Sequence, residues 1–453
     1  MRVIILLLLS IFWGNIYGQE VAPPATDQRI YDIISACSSE RIESDITTLA
    51  GFGTRHTLSD TVSQTRGIGA ARRWIKAEFE NISTDCGGCL EVSYLSGVIE
   101  EGESRRIPVS TNIVNVLAIK RGTVYPDRYI IMSGDIDSRI SDPLNGTDDS
   151  PGANDNASGM AGVLEAARVL SKYDFASSII FVGLSGEEQG LFGGKIMAAQ
   201  AIQDSLDIIG ILNNDMIGNI TGIDGVIDNR TFRIFSEAAP PTENEQQRIW
   251  QRFYGGEVDG ISRQLARFVH RMVTSYMPNM NPMMIYRLDR FGRGGHHRPF
   301  NDVGFAGIRI MEAHENYTQQ HQDIRVEDGI EYGDRLEHVN FDYAAKLTAV
   351  NAIALASIAW APIPPKGLMI GGAVQPSTRL RWDDTGDPHI AGYKIYWRDT
   401  TSPQWQYSRY VGSLSDFTLE NIVIDNFLFG VVAVSADGHE SIVSFPTTLI
   451  PRR

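Results

Sequence analysis

Cysteine is scarce: the chain has three in 453 residues, Cys37, Cys86 and Cys89. That is too few for a fold built on disulfides. Cys86-Gly-Gly-Cys89 has the spacing of half a metal knuckle, but the second pair such a site needs is missing. A small surface disulfide suits an exported chain better, with Cys37 either the partner of one of them or the odd thiol. Basic clusters are lacking too. Lys plus Arg number 40 against 55 Asp plus Glu, a net charge of −15 that excludes a nucleic-acid footprint. No basic run is long enough for an anionic membrane surface. Beyond the first residues there is no long charge-free apolar run. The nearest, residues 344–361, is interrupted by Lys346 and Asn351 and reads as a core helix, so no membrane span is expected there.

At the start, Met1-Arg2 precede an apolar run from Val3 to Trp13, and small residues follow with a cut site near Gly18. These are the parts of a secretory signal peptide, residues 1–18, and the run falls short of the roughly 20 residues a span requires. The expectation is an exported, soluble mature protein, periplasmic or extracellular. The length allows two or three domains, and 43% hydrophobic content is ordinary for globular folds.

The chain does have carboxylates placed at the ends of apolar runs. Residues 151–170 read PGANDNASGMAGVLEAARVL. A Gly/Asn/Ser-rich loop carries Asp155 and opens an amphipathic helix, with Met160, Val163, Leu164, Ala167 and Leu170 at helical spacing. The run Ile179-Ile180-Phe181-Val182 delivers Glu187-Glu188, and Ile208-Ile209-Gly210-Ile211-Leu212 delivers Asp215. In open α/β sheets, ligands gather beyond the carboxyl ends of the strands. Acids carried on separate strand ends therefore converge there. Unpaired, they repel and must take up protons or be neutralised. Divalent cations neutralise them, and a carboxylate shared between two cations is how two-metal hydrolases hold a bridging water.

Around this stretch, residues 30–79 are mostly helical, with Ala70, Ala71, Trp74, Ile75 and Phe79 near one face. Arg55 and His56, in a turn, read as structural hydrogen-bonding groups. Residues 92–95, 113–119 and 129–133 are strand candidates, and 145–156 form a loop at the rim of the cleft. Residues 221–281 depart from strand-helix alternation and read as a helical excursion over the crevice, before a strand at 283–286. A final core strand falls at 308–311 and a last helix at 342–360. Tyr317 and the histidines His296, His297, His314 and His321 crowd near these strand ends, a concentration that marks substrate or metal binding. The pattern gives an α/β domain over 19–361, a mixed, mostly parallel sheet flanked by helices. Pro362-Ile363-Pro364-Pro365 makes a stiff linker, residues 362–366. From 367 to 453 the period is two, as in Leu380-Arg381-Trp382 and Tyr393-Lys394-Ile395, which indicates a β-sandwich. It resembles a fibronectin type III module, whose role is spacing or stability, or binding to a surface or polymer.

PGANDNASG, SGEEQGLFG and NNDMIG resemble, in order and spacing, the motifs of the zinc-dependent aminopeptidases of the M28 peptidase family. FGTRHT at 52–57, RLDRFGRGG at 287–295 and QHQDIRVEDGIEYGD at 320–334 extend the resemblance to roughly residues 30 to 360. It implies a zinc exopeptidase-like fold with two divalent ions. It further implies Asp155 as the carboxylate shared by the metals, Glu188 and Asp215 as ligands of one each, and Glu187 as general base. The implied reaction is hydrolysis of the N-terminal peptide bond of a peptide substrate through a metal-bound water. Glu312 or Glu315 would hold the free ammonium, and His296 and Tyr317 would contact substrate.

The chain departs from the family pattern at both imidazole ligands. The histidine of the Gly-His-x-Asp-Ser motif is Asp135 in Ser133-Gly134-Asp135-Ile136-Asp137-Ser138. The second, four residues before Asp323, is Gln319, while His296 stands where relatives commonly carry an aspartate. Asp135 is expected as a ligand in place of the first. His321, two residues beyond Gln319, is expected to take over the second with a backbone shift. Oxygen-rich ligation also suits Mn²⁺ or Mg²⁺. Two other outcomes follow from the same losses: a binding protein that has dropped turnover, or a single-zinc enzyme of the glutaminyl cyclase type.

Overall fold

The computed structural model of the protein describes residues 21–451; the signal segment expected at 1–18 lies outside them. Three helices come first: α1 (Gln28–Ala36), α2 (Ser39–Gly51) and α3 (Gly67–Asp85). Asp27 and Ser38 cap the first two by accepting the backbone N–H of Arg29 and Arg41. The strands β1 (Leu90–Ile99), β2 (Thr111–Lys120), β3 (Tyr125–Asp135), β4 (Ser177–Leu184), β5 (Asp207–Asn214), β6 (Thr231–Ser236), β7 (Asn281–Ile285) and β8 (Gly307–Glu312) form one sheet, ordered β1-β2-β4-β3-β5-β8-β6-β7. Its centre, β4-β3-β5-β8, is parallel, and β1, β2 and β6 join antiparallel. This is the expected α/β architecture. β4 is buried at every position, which is why its sequence is a continuous apolar run.

Between and after the strands lie α4 (Gly159–Leu170), α5 (Glu187–Gly190), α6 (Phe192–Gln203), α7 (Glu245–Tyr254), α8 (Ile261–Tyr276), α9 (Arg298–Asp302) and α10 (Phe341–Trp360). Alternate strand residues feed two cores. Val116, Ile130, Met132, Phe181 and Leu212 pack against helices α1 to α4, α8 and α10. Leu117, Ile131, Ile180, Val182 and Ile211 pack on the other face with Ala198 of α6 and Phe300 of α9. Helix α10 is long and apolar enough to cross a bilayer, but 83% of that stretch is buried, so it is the core helix expected. α4 lies hard against the sheet. A Cβ on Gly134 would come within 2.6 Å of the Gly159 carbonyl carbon, and one on Gly159 within 2.3 Å of the Asn214 oxygen. Glycine at both positions lets the loop before α4 sit directly on the strand ends.

Residues 221–281 differ from the helical excursion expected. Thr231-Phe232-Arg233-Ile234-Phe235-Ser236 is β6, paired with β8 inside the sheet, and α8 packs into the main core. The α7 side chain of Trp250 lines a cavity of about 690 Å³ together with Asp207, Pro365 and Phe445. Asp207 is the first residue of β5, so α7 lies at the opposite end of the sheet from the strand ends that carry the acids. The sequence here is short, mixed and polar, and pairing with β8 rather than local pattern decides its place.

Ahead of α10 a small hairpin joins β9 (Arg325–Glu327) to β10 (Ile330–Tyr332). The last part of the chain holds β11 (Met369–Gly371), β12 (Thr378–Arg381), β13 (Gly392–Asp399), β14 (Tyr407–Gly412), β15 (Asp416–Leu419), β16 (Phe427–Val434) and β17 (Thr448–Leu449). They make two sheets, β15-β12-β11-β17 and β14-β13-β16, around one core of Leu380, Trp382, Tyr393, Ile395, Phe429 and Val431. This unit is docked on the α/β domain. Buried Arg398 donates to Asp259 at 2.6 Å, and Arg267 bonds the same carboxylate. Arg271 pairs with Glu440 at 2.8 Å, and the His439 ring bridges Asp27 at 2.9 Å and Ser357 at 3.1 Å. Removing the shared carboxylate strands two buried guanidiniums. Asp259→Ala is therefore expected to cost about 3–5 kcal/mol in urea unfolding; an unchanged midpoint would mean the docking is not held by this cluster.

Candidate metal centre

Each acid reaches the centre from a strand end. Asp135 ends β3, Glu187 and Glu188 open α5 just after β4, Asp215 follows β5, and Glu312 ends β8. Asp137 accepts the backbone N–H of Glu187 at 3.2 Å and of Glu188 at 3.0 Å, which fixes the turn that presents both. The Asp155 loop is tied from below. Asp334 accepts the N–H of Asn154 at 2.8 Å and of Asp155 at 2.6 Å. Arg55, fully enclosed, donates to the carbonyls of Leu49, Ile136, Pro151 and Gly152, the structural role expected of it. His56 likewise bonds the Pro143 carbonyl, at 3.0 Å.

Within this frame the structure brings three groups together. His321 Nε2 lies 2.9 Å from Asp155 Oδ2 and 2.8 Å from Glu188 Oε1. The ligand atoms of Asp155, Glu188 and His321 all lie within 4.8 Å of one another. His321 gets there with a positive φ of 53°, the left-handed conformation that non-glycine residues adopt chiefly under constraint. Arg139 closes the far side, 2.7 Å from Glu188 Oε2 and 2.6 Å from His321 Nδ1. A second set adjoins. His296 Nδ1 meets Asp135 Oδ1 at 2.6 Å, Asn156 Nδ2 donates to Asp135 Oδ2 at 2.8 Å, and Arg309 holds Asp215 Oδ2 at 2.9 Å.

The charge states reflect the crowding. Burial opposes charge on His321, but Glu188 and Asp155 outweigh it and raise the imidazole to about 9. Burial likewise disfavours ionised Asp155 and Glu188, yet His321 holds both below their usual range. Burial and then Asp137 push Asp135 well up; burial and then Glu188, Asp215 and Asp135 do the same to Glu187. Asp215 rises to about 8 through burial, against the pull of Arg309. Too few positive charges face these acids, and a divalent ion supplies what is missing. Two carboxylates and an imidazole converging within one ion's reach are a ligand set that suits zinc.

Several residues fall elsewhere than expected. Asp135 bonds His296 through Oδ1 and Asn156 through Oδ2, and it is not in the group formed by Asp155, Glu188 and His321. His296, expected at the substrate, is enclosed beneath Gly194 and the strand ends, out of reach of a peptide. Tyr317 is 59% exposed, and its backbone carbonyl accepts from the Gln322 amide. Glu312 accepts from Asn154 and Asn219, and Glu315 is paired with Arg233 and Arg290, so neither is open to an ammonium. His297 bonds the Leu288 carbonyl and His314 lies 4.0 Å from Asp228; neither joins the cluster. Arg139, Arg309 and Asp334 were not anticipated. A lone arginine inside the buried strand Gly307–Glu312 is the signal that marks Arg309, since a charge there demands a partner.

The sequence profile of Peptidase family M28 matches residues 115–349. Over 432 residues, 95% of this chain and 89% of the relative, the chain is 40% identical to a Pyrenophora tritici-repentis protein named probable zinc metalloprotease. The chain belongs to peptidase family M28. It is a peptidase, a hydrolase of peptide bonds, and the relatives it matches are named probable zinc metalloproteases. The fold is shared with the Legionella pneumophila LapA aminopeptidase: TM-score 0.53, 16% identity, 79% of this chain and 80% of that one. It is also shared with a Macrostomum lignano glutaminyl cyclase: TM-score 0.50, 13% identity, 74% and 94%.

The M28 centre should leave a pH signature once zinc is stripped. His321 titrates near 9 folded against 6.5 unfolded, so its stabilisation is complete below 6.5 and lost as pH rises through 9. Asp215, raised from 3.8 to about 8, also binds its proton more tightly when folded, so its contribution declines in the same direction. The melting temperature of the chelated protein is expected to fall between pH 6.5 and 9. Saturating zinc should remove that fall, and a chelated melting temperature that rises with pH would contradict the assignment.

Proposed function

We propose that this M28 peptidase is an aminopeptidase in which Glu187 is the general base. The observation that carries the reading is the Asp155–His321–Glu188 cluster with the Glu187 carboxylate on the next residue of the same turn. Zinc, when bound, supplies a Lewis acid that polarises the scissile carbonyl and acidifies water. Asp155, Glu188 and His321 would hold it. Asp137, through the two backbone N–H groups, keeps Glu187 facing the cleft while Glu188 turns to the cluster. The Glu187 carboxylate takes a proton from the attacking water and returns it to the leaving amine. Glu187 is partly exposed.

Charge supports the amino end. A C-terminal carboxylate would need an uncommitted cation, and three arginines at the centre are tied to acids: Arg139 to Glu188, Arg290 to Glu315, Arg309 to Asp215 and Asp289. The excess of buried carboxylates at the centre favours a cationic substrate end over an anionic one. Aminoacyl anilides should be hydrolysed, N-acetylation should abolish cleavage, and amidating the C-terminus of a peptide should leave it unchanged. Cleavage that needs a free C-terminus would overturn the reading. Glu187→Gln should lower kcat about 10²- to 10⁴-fold with zinc content unchanged.

The Asp, Glu and His composition of the cluster also favours a second reading, a single-zinc glutaminyl cyclase-type enzyme. N-terminal glutaminyl peptides separate the two: loss of ammonia without loss of a residue marks cyclisation. Export is part of the proposal. The Cys86–Cys89 disulfide supports an oxidising compartment, and Cys37 is the odd thiol. Intact mass of the mature protein should correspond to loss of residues 1–18. For the C-terminal unit the two-sheet core supports a fibronectin type III-like module, and its buried ion pairs support a stabilising role rather than polymer binding.

A further inference from the structure

The cavity of about 690 Å³ beside α7 lies where the starts of β3 and β5 meet the linker and the C-terminal unit, at the far end of the sheet from the acids. Small-molecule sites of roughly 300–1,000 Å³ favour such boundaries between domains. Its wall is mostly apolar and includes Ile208, Trp250, Pro365, Leu368 and Phe445. Arg128 of β3 is the one cation among the residues that line it. This arginine is 9% exposed, and among the described residues its guanidinium pairs with a single acid. Nε lies 3.4 Å from Oδ2 of Asp207, the register partner on β5, whose own side chain is 67% exposed. A guanidinium carries five donors, and enclosing it with so little to bond is costly. Burial pulls Arg128 below its ordinary range despite the opposing effect of Asp207 and Tyr125. The helix beside it is unusual too. α7 has 10 residues and none is buried, although helices this short depend on packing for stability. Its side chains Gln247, Trp250 and Gln251 line the cavity.

We propose that this cavity binds an apolar monocarboxylate, an alkyl or aryl acid whose carboxylate pairs with Arg128 and whose body lies along Trp250 and Phe445. The planar fork of arginine bonds both oxygens of a carboxylate at once. Asp207 and Glu243 also line the cavity, so it suits one negative charge better than the nearly two of a phosphate group. Asp259 lines it as well, but Arg398 and Arg267 already neutralise that acid. Because β5, α7, the linker and the C-terminal unit each supply part of the wall, the bound acid ties the C-terminal unit to the α/β domain. None of these residues belongs to the metal centre, so the site goes beyond the aminopeptidase reading and stands or falls without it.

Calorimetric titration of the full chain with octanoate, and with octanol as its uncharged counterpart, tests this directly. Octanoate should bind saturably and raise the melting temperature, as any ligand of the folded state does. Arg128→Gln should weaken octanoate about 10- to 100-fold and leave octanol unchanged. Because Arg128 is buried and its loss can disturb the fold, two further variants are included. Arg128→Lys keeps the charge without the fork and should bind octanoate more tightly than Arg128→Gln does. Trp250→Ala, on a helix with no buried residue, should weaken octanoate and octanol alike and leave anilide hydrolysis unchanged. A wild-type chain with no saturable octanoate binding overturns the inference. So does a wild-type chain that binds octanol as tightly as octanoate, or an Arg128→Gln or Trp250→Ala variant that keeps the wild-type octanoate affinity.

Discussion

Asp155 and Glu188 come from different elements, one from the loop before α4 and one from the turn after β4. Their carboxylates stay together in an enclosed place because a cationic group stands between them. In the structure that group is His321, and much of the surrounding framework serves the contact. Asp334 ties down the Asp155 loop, and Asp137 fixes the Glu187–Glu188 turn. The glycine contact between β3 and α4 lowers the whole loop onto the strand ends. Arg139 and Arg309 then neutralise the outer oxygens of Glu188 and Asp215.

Arginines among the acids might suggest a centre that has exchanged its metals for side-chain charges. Their geometry argues otherwise. Arg309 reaches Asp215 through one oxygen and is shared with Asp289, so Asp215 keeps an oxygen open. Arg139 approaches Glu188 on Oε2 and leaves Oε1 to the cluster. Each arginine holds a ligand in one orientation, which is what supporting groups do at metal sites.

The sequence made the carboxylate framework legible, because apolar runs of strand length end in acids and a Gly/Asn loop precedes an amphipathic helix. The exchanges were harder to read. His321 reaches the site only through a left-handed backbone turn, which spacing from Asp323 does not reveal. The pairing of Asp135 with His296 joins residues 161 positions apart, and only the fold brings them together. Strand β6 escaped notice because its place is decided by pairing with β8. The docking of the C-terminal unit depends on single buried charges such as Asp259 and Arg398, which look in sequence like any surface pair.

The most direct test of the account is anomalous diffraction at the zinc edge from crystals of the zinc-loaded protein. The account predicts an ion about 2.0–2.2 Å from an oxygen of Asp155, an oxygen of Glu188 and Nε2 of His321, with Arg139 withdrawn from Nδ1. A loaded crystal in which His321 still bridges the two carboxylates, with zinc bound elsewhere, would contradict it.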